Sequence, residues 1–292
     1  MDPITPLYFD VMPVHEPPKR LESLTSFLTR LGEGNGLQSI NELSALCFPG
    51  QDRRITRHLA DYPPLSLVGL AAATACPETA LLATTFYHVA DKFGRSSHPQ
   101  DIRRFLNGNI AGYLRYCPMC LAEHGSYSLT WRFLPLGGCT EHHCRLLDRC
   151  GHCGSSVPLL QSPFRLGTCS YCGGDLRSCL VESISEEESQ SIQTQKDDLE
   201  FLLSPLPWER MAEDTAAILP GRRLGYLRRL KGLSVAQIAD QTGQSQEVIR
   251  DVEKGAVDHV GATYRFYVRY AGCLGLTLQQ VFCTELPAEE AE

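Results

Sequence analysis

The chain has 292 residues, of which 43% are hydrophobic, and this length allows two or three small domains. Its formal net charge of −7 argues against wholesale wrapping by nucleic acid, and no apolar run approaches the roughly twenty residues of a membrane span. The N-terminal segment lacks the apolar core of a signal peptide. We therefore expect a soluble, cytoplasmic protein.

The first 115 residues are predicted to form a helical region. Residues 1–20 are rich in proline, which is typical of an extended lead-in. Leucine and phenylalanine then recur at helical spacing over residues 20–31, and shorter helices are predicted over residues 37–47 and 52–61. The first of these patterns predicts an amphipathic helix that buries one face.

Residues 65–93 predict a helix, a short turn and a second helix that runs unbroken from Glu78 to Ala90. Such a pair is the skeleton of a helix-turn-helix, whose second helix can enter a DNA major groove. An ordinary helical hairpin is the favoured interpretation of this stretch alone. The reason is that the second helix carries no Arg or Lys before Lys92.

Residues 116–180 form the predicted metal-binding region, with eight of the chain's thirteen cysteines between Cys117 and Cys172. Cysteines two residues apart are typical of a tight knuckle that aims two thiolates at one ion, and Zn²⁺ prefers four such ligands in a tetrahedron. Four protein ligands leave no position for water, so we predict two structural zinc ions in two zinc-knuckle modules. The predicted ligands are Cys117, Cys120, Cys139 and His142 for site one, and Cys150, Cys153, Cys169 and Cys172 for site two.

Other interpretations of these cysteines fit less well. A disulfide between cysteines two residues apart is strained. A thioredoxin-like motif needs a strand before it and a long helix after it, for which four knuckles in 56 residues leave no room. The assignment leaves His143, Cys144 and Cys179 without a defined role.

Residues 126–135 lie between the first two knuckles. Their polar and apolar side chains alternate, which is typical of a strand. Trp131 in this segment could stack on a nucleic-acid base. The favoured interpretation is that it forms the apolar plug of a small zinc module.

Residues 181–200 carry seven acidic side chains, one basic one and few apolar ones. This composition predicts a mobile acidic linker, although part of the segment could be a solvated helix cap. Beyond it, residues 201–292 are predicted to form an all-α domain. The complete chain is therefore expected to be mainly α.

The clearest helical pattern lies within residues 221–283. Ser234 and Ser245 are suitable N-caps, and Gly243 stands where a helix end favours the left-handed conformation. The predicted helices cover residues 222–231, 235–242, 246–254 and 262–274, with a short one over 277–282.

This register resembles the Xre or lambda-repressor type of helix-turn-helix domain. In that family, side chains at the start of the third helix face the major groove, and helix residues also contact phosphate. Glu247 and Asp251 lie near the same face and would repel phosphate. Contact with a protein, or nonspecific DNA binding, is therefore an alternative to base reading for this domain. The candidate nucleic-acid-binding residues that the resemblance implies are Arg222, Arg228, Arg229, Gln244, Ser245, Gln246 and Arg250.

Over about residues 8–180 the chain resembles the TniQ family of transposition proteins. The N-terminal string Pro13-Val-His-Glu-Pro-Pro and the string from Cys139 to Cys153 contribute to this resemblance. The family's usual order is CxxC, an aromatic stretch with Trp, CxxH, a Leu-rich link and two further CxxC pairs. In this chain the order is filled by Cys117, Cys120, Trp131, Cys139, His142, Leu146, Leu147, Cys150, Cys153, Cys169 and Cys172.

The TniQ resemblance implies target selection for a cut-and-paste DNA transposon. Family members link a target-recognition device to an AAA+ regulator of the TnsC type, which recruits the transposase. That device is either their own DNA-binding domains or an RNA-guided Cascade complex. Because this chain has one C-terminal DNA-binding module, we expect a Cascade-associated adaptor, for which a homodimer is one option. The alternative is a direct DNA-reading target selector or transcription regulator.

We expect no enzyme activity from this chain. It has no P-loop sequence of the type GxxxxGK[ST], so it is not predicted to be the ATPase. Its acidic residues form no defensible two-metal nuclease pattern. A zinc-dependent hydrolase would need an open coordination position, which the predicted ligand sets lack.

Overall fold

A computed structural model describes residues 11–51, 60–205, 219–256 and 261–284. Within these residues the fold is mainly helical, as predicted, with a single two-stranded antiparallel sheet. The helix predicted over residues 52–61 falls almost entirely outside the described residues. None of the described helices is both long enough and apolar enough to cross a membrane.

The regular elements are short and are numbered here in chain order. The α-helices are α1 (Leu24–Gly34), α2 (Ile40–Cys47), α3 (Val68–Thr74), α4 (Glu78–Leu82), α5 (Tyr87–Lys92), α6 (Pro99–Phe105), α7 (Pro118–His124), α8 (Glu186–Leu203), α9 (Pro220–Leu230), α10 (Val235–Thr242), α11 (Gln246–Glu253), α12 (Tyr264–Cys273) and α13 (Leu278–Cys283). The strands are β1 (Gly138–Cys139) and β2 (Cys144–Arg145), and 3-10 turns cover Leu129–Arg132 and Leu176–Ser178.

The chain divides into two compact units, each made of two separate segments. The first unit contains Met1–Phe86 and Ala111–Gln195, and the second contains Tyr87–Ile110 and Lys196–Glu292. The predicted domain boundaries, which follow sequence order at residues 115, 180 and 200, therefore do not coincide with the compact units.

The core of the first unit is built on α1. Its apolar side chains, which the helical spacing predicted, are almost fully buried together with residues of α2, α3 and α4. Ser23 caps the helix by accepting a hydrogen bond from the Ser26 amide at 3.2 Å. The Phe164 ring packs against Gly32 so closely that a Cβ there would lie 2.4 Å from it, so this contact requires glycine.

The helix predicted to run unbroken over residues 78–90 is interrupted after Leu82. The side-chain hydroxyl of Thr84 donates to the Leu81 carbonyl at 2.6 Å, and that of Thr85 donates to the Leu82 carbonyl at 2.7 Å. The Thr84 carbonyl accepts from the Leu24 amide instead of continuing the helix. Threonine side chains that bond to nearby backbone groups compete with helix, which explains the break.

The strand predicted over residues 126–135 is also wrong, because this segment forms a 3-10 turn at its centre. Ser128 starts the turn by accepting a hydrogen bond from the Thr130 amide at 3.3 Å. Arg132 then forms a buried ion pair with Asp61 and donates to the Ala111 carbonyl at 2.7 Å. Trp131 is 7% exposed, as the apolar-plug interpretation expects.

The acidic segment predicted as a mobile linker is largely helical, since α8 covers most of it. Four of its five apolar side chains are buried together with Ser189, whereas the three glutamates of its first turn are exposed or partly exposed. Ile192 contacts Gly138 of β1, where a Cβ would come within 2.7 Å of the isoleucine. The prediction of a linker was wrong because a helix can pack through a narrow apolar face, which needs only a few apolar residues in an otherwise polar segment. The buried residues of this face are Ser189, Ile192, Leu199, Leu202 and Leu203.

An aromatic cluster explains why residues 87–110 join the C-terminal helices. The ring of Phe93 lies 5.1 Å from Phe105, 4.7 Å from Tyr267 and 5.3 Å from Phe282, measured between centroids. Such offset or edge contacts add to the burial of the rings. Lys92, which is 3% exposed, donates to the Leu202 carbonyl at 3.0 Å and so complements the C-terminal end of α8.

The helices of the C-terminal segment follow the predicted pattern closely. Ser234 and Gln237 form a reciprocal capping box at the start of α10, and Gly243 ends it with φ +70°. Ser245 caps α11 by accepting from the Val248 amide at 3.3 Å. Thr277 caps α13 in a second capping box. These caps confirm that the signals in the sequence set the helix boundaries.

A buried ion pair ties α9 to α11. The Arg228 guanidinium donates to both carboxylate oxygens of Glu253, at 2.7 and 2.8 Å, and also to the Leu233 carbonyl at 2.7 Å. The Tyr270 hydroxyl of α12 donates to the same carboxylate at 2.6 Å. The hydrogen bonds to Glu253 raise the pKa of Arg228. Three helices therefore meet at one carboxylate.

We predict that Arg228→Ala lowers the free energy of unfolding of the second unit by about 3 kcal/mol, because it leaves Glu253 partly buried and without its cation. Denaturant unfolding, followed by hydrogen exchange in residues 219–284, measures the change. The neighbouring Arg229→Ala is the matched control, since Arg229 is exposed, and its effect should stay within about 0.5 kcal/mol. Equal stability of the two variants would contradict the structural role of Arg228.

Candidate metal centres

Site one is assembled at the start of α7 and in the β1–β2 hairpin. Cys117 occupies the N-cap position of α7 and Cys120 its first turn. Cys139 is the last residue of β1, and His142 lies in the turn that leads to β2. Both strands are held in an antiparallel pair in which Cys139 is opposite Cys144. Two short elements thus bring together ligands that are up to 25 residues apart in sequence.

The four predicted ligand atoms of site one lie within 4.8 Å of one another. The Sγ atoms of Cys120 and Cys139 are 3.4 Å apart, and His142 Nδ1 is 3.6, 3.2 and 3.7 Å from the sulfurs of Cys117, Cys120 and Cys139. A tetrahedral zinc ion with bonds of about 2.3 Å to sulfur separates its ligands by roughly 3.8 Å. The arrangement therefore fits one tetrahedral ion.

Two glutamates contact the ligands of site one from outside. Glu123 Oε1 lies 3.0 Å from His142 Nε2, so the imidazole can present its other nitrogen to an ion while it bonds to a carboxylate. Glu141 Oε2 accepts from the Cys120 thiol at 3.5 Å and lies 3.2 Å from His124 Nε2. A carboxylate behind a histidine ligand is a common support for bound zinc.

Site two is a pair of equivalent knuckles, and its four sulfurs also lie within 4.8 Å of one another. Cys150 Sγ is 3.8 Å from Cys172 Sγ, and Cys153 Sγ is 3.8 Å from Cys169 Sγ. These separations match a tetrahedral four-thiolate zinc site. Two of the cysteines, Cys153 and Cys172, are exposed, so site two lies at the surface of the first unit.

The backbone repeats itself in the two knuckles of site two. The Gly154 amide donates to the Cys150 carbonyl at 2.8 Å, and the Gly173 amide donates to the Cys169 carbonyl at 2.9 Å. Both glycines have φ +73°, a conformation that other residues adopt only with strain. The CxxCG pattern in each knuckle is thus explained by one turn that points both sulfurs at the same place.

The thiols within each cluster perturb one another. Hydrogen bonds from Cys120 and Cys139 lower the pKa of Cys117, while the contact with Cys117 raises the pKa of Cys120. At site two, hydrogen bonds from Ser155 lower the pKa of Cys153 to about 6. Since a metal ligand must be a thiolate, ion binding releases protons from the remaining thiols, and metal affinity falls as the pH falls.

Three residues without a predicted role lie against the two sites. Cys179 Sγ lies 3.4 Å from the Tyr116 hydroxyl oxygen and packs on Gly151 of the first knuckle of site two. His143 Nδ1 lies 3.0 Å from the Ser189 hydroxyl of α8. Cys144 is buried with its Sγ 3.6 Å from Cys117 Sγ.

The two sites are linked by Tyr116, which sequence reasoning missed. Its amide and carbonyl both pair with Leu147 at 2.9 Å, and its hydroxyl donates to the Arg149 carbonyl at 3.1 Å. Tyr116 is fully buried and directly precedes Cys117. Only its place next to a ligand hinted at this role, since the pairing with Leu147 spans 31 residues.

Residues 13–146 match the TniQ family. The search of curated proteins found no match. The TniQ match covers α1 to β2, and so it includes every ligand of site one but none of site two.

The match supports the TniQ resemblance and a function related to transposition. Site two lies beyond the matched residues, so its assignment depends on the geometry of its four sulfurs.

The candidate nucleic-acid residues are distributed over α9 and the start of α11. Ser245, Gln246 and Arg250 are exposed, and Arg250 donates to the Gln246 side chain at 2.8 Å. Gln244 is partly buried. Arg222 and Arg229 are exposed on α9.

The assignment of Arg228 to phosphate contact is not supported by its position. Arg228 is 9% exposed, and its guanidinium is engaged by Glu253 and by the Leu233 carbonyl. Its burial and these bonds hold the guanidinium inside the protein, away from a DNA phosphate. The sequence pattern could not separate Arg228 from its exposed neighbour Arg229.

We predict that Cys150→Ser lowers the zinc content from two ions to one per chain, because site two loses a thiolate while site one keeps all of its ligands. Residues 219–284 should keep their hydrogen-exchange protection. Elemental analysis of the purified protein gives the stoichiometry. Cys179→Ser is the matched control, because Cys179 lies beside the same site without belonging to it, and it should keep both ions. An unchanged zinc content in Cys150→Ser would contradict the ligand assignment.

Proposed function

We propose that this protein is a non-enzymatic target-selection adaptor of a DNA transposon. The observation that carries the proposal is the TniQ match over residues 13–146, which contains the first four-ligand cluster. Both clusters offer four protein ligands, a number that leaves a zinc ion no open position for a substrate. Ions bound there would stabilise the fold, and binding surfaces on that fold would carry the function.

The adaptor has two kinds of partner in this proposal. One is a target-recognition complex, for which we favour the RNA-guided Cascade because the acidic Glu247 and Asp251 of α11 oppose direct approach to a DNA phosphate. The other is an AAA+ regulator of the TnsC type, which recruits the transposase. Direct contact with DNA would then be secondary, and a homodimer would be compatible with both contacts.

A second candidate function is direct DNA reading by the C-terminal helices. It is favoured by the capped pair α10 and α11, which exposes Gln246 at the start of α11 and Arg250 one turn further on. These side chains can pair with adenine and guanine edges. Glu247 is exposed and Asp251 partly so on the same helix, and their charge opposes the approach of phosphate. We therefore rank this function below the adaptor.

Copurification separates the two functions. The tagged chain would be coexpressed with the AAA+ regulator and, separately, with the Cascade complex encoded by the same transposon. The adaptor function predicts a stable complex with the regulator and with Cascade, and weak, salt-sensitive binding of random-sequence duplex DNA.

The double variant Gln246→Ala, Arg250→Ala provides the control. Both complexes should persist in this variant if the protein is an adaptor, because the changes affect only the candidate base-reading side chains. If the wild-type chain joins neither partner but binds one DNA sequence at nanomolar concentration, and the variant loses that binding, the adaptor function is wrong and the DNA reader is correct.

A further inference from the structure

A fourth thiol lies beside the three thiols and one imidazole of site one. Cys144 is 1% exposed, and its Sγ is 3.6 Å from Cys117 Sγ. This separation falls within the range of the sulfur–sulfur contacts inside the two clusters, which are 3.4 to 3.8 Å. The Cys144 sulfur is therefore as close to Cys117 Sγ as the paired sulfurs of one metal site are to each other.

The hairpin also places Cys144 next to a second ligand. In the register of β1 and β2 it is directly opposite Cys139, and side chains of such cross-strand pairs lie on the same face of the sheet. The β2 backbone is held from the other side, since the Arg145 amide donates to the Glu182 carbonyl at 2.9 Å and the Ile184 amide to the His143 carbonyl at 3.0 Å. The thiol is thus kept at the ligand cluster by regular backbone pairing.

His142 is held less firmly than Cys144. It lies in the turn between the strands, and its side chain is 15% exposed, with its outer nitrogen on Glu123, a residue whose side chain is 57% exposed. His142 is also the one ligand of site one that is not a thiolate. Structural zinc sites accept Cys₄ and Cys₃His sets alike, so a thiolate can take the place of the imidazole.

We propose that Cys144 is the reserve ligand of site one, whose thiolate takes the fourth position when the His142 imidazole does not bind the ion. In the intact site His142 would hold the ion, because the four ligand atoms that lie within 4.8 Å of one another include its imidazole nitrogen and not the Cys144 sulfur, which would have to turn towards Cys120 and Cys139 to replace it. If the imidazole were lost, the Cys144 thiol would release its proton to water and its sulfur would hold the ion. The ligand set then changes from three thiolates and one imidazole to four thiolates.

Three variants of the full chain test this proposal by zinc stoichiometry. The wild type and Cys144→Ser should each hold two zinc ions, since both retain His142. His142→Ala should also hold two, because Cys144 replaces the imidazole. The double variant His142→Ala, Cys144→Ser should hold one ion, in site two. Site two serves as the internal reference in every sample.

Cobalt substitution supplies a readout of the ligand set itself. Cobalt(II) bound to thiolates shows charge-transfer absorption that grows with the number of thiolates. The absorption per protein chain should therefore rise from wild type to His142→Ala, and it should fall below the wild-type value in the double variant, which keeps only site two. A rise of this kind identifies a fourth thiolate at site one.

If His142→Ala holds a single zinc ion, as the double variant is expected to, the proposal is wrong. Cys144 is then only a hydrogen-bond partner of Cys117. His142→Cys tests whether the fold tolerates the loss of the imidazole. If His142→Cys folds with two ions and His142→Ala does not fold, the proposal is also wrong. Fewer than two ions in the wild type would refute the sites themselves, which is a different failure.

Discussion

The first compact unit depends on convergence of cysteine ligands at two points. From His124 to Glu186, a stretch described throughout, regular structure is limited to two strands of two residues each and two 3-10 turns. So little secondary structure cannot bury much of its own backbone, and a metal ion is a common substitute for a core in such modules. Structural zinc can contribute about 10 kcal/mol or more to folding, which exceeds the effect of any other single contact described here.

Other parts of the first unit are arranged around this region. The β1–β2 hairpin that carries Cys139 also accepts the N-terminal half of α8, through Ile192 on Gly138 and the ion pair of Arg145 with Glu188 at 2.9 Å. Phe164, which lies between the knuckles of site two, packs on Gly32 of α1. Loss of the ions would therefore also destabilise α1 and α8, which supply no ligand.

Short-range signals allowed much of this structure to be predicted. The CxxC and CxxH spacings identified which eight residues meet, and Ser234, Gly243 and Ser245 located three helix ends to within a residue or two. The failures involve long-range contacts or competing local bonds. Thr84 and Thr85 end a helix by side-chain hydrogen bonds, and Arg228 pairs with Glu253, 25 residues away. No spacing rule reports such pairings.

We infer that two ions, each held by four protein ligands, maintain the fold of the first unit. Zinc analysis of the native protein, combined with hydrogen exchange before and after removal of the metal by a chelator, tests it most directly. We predict two zinc ions per chain, and loss of protection in residues 111–195 on chelation with residues 219–284 unchanged. Protein that contains no metal but retains full protection in residues 111–195 would contradict the account.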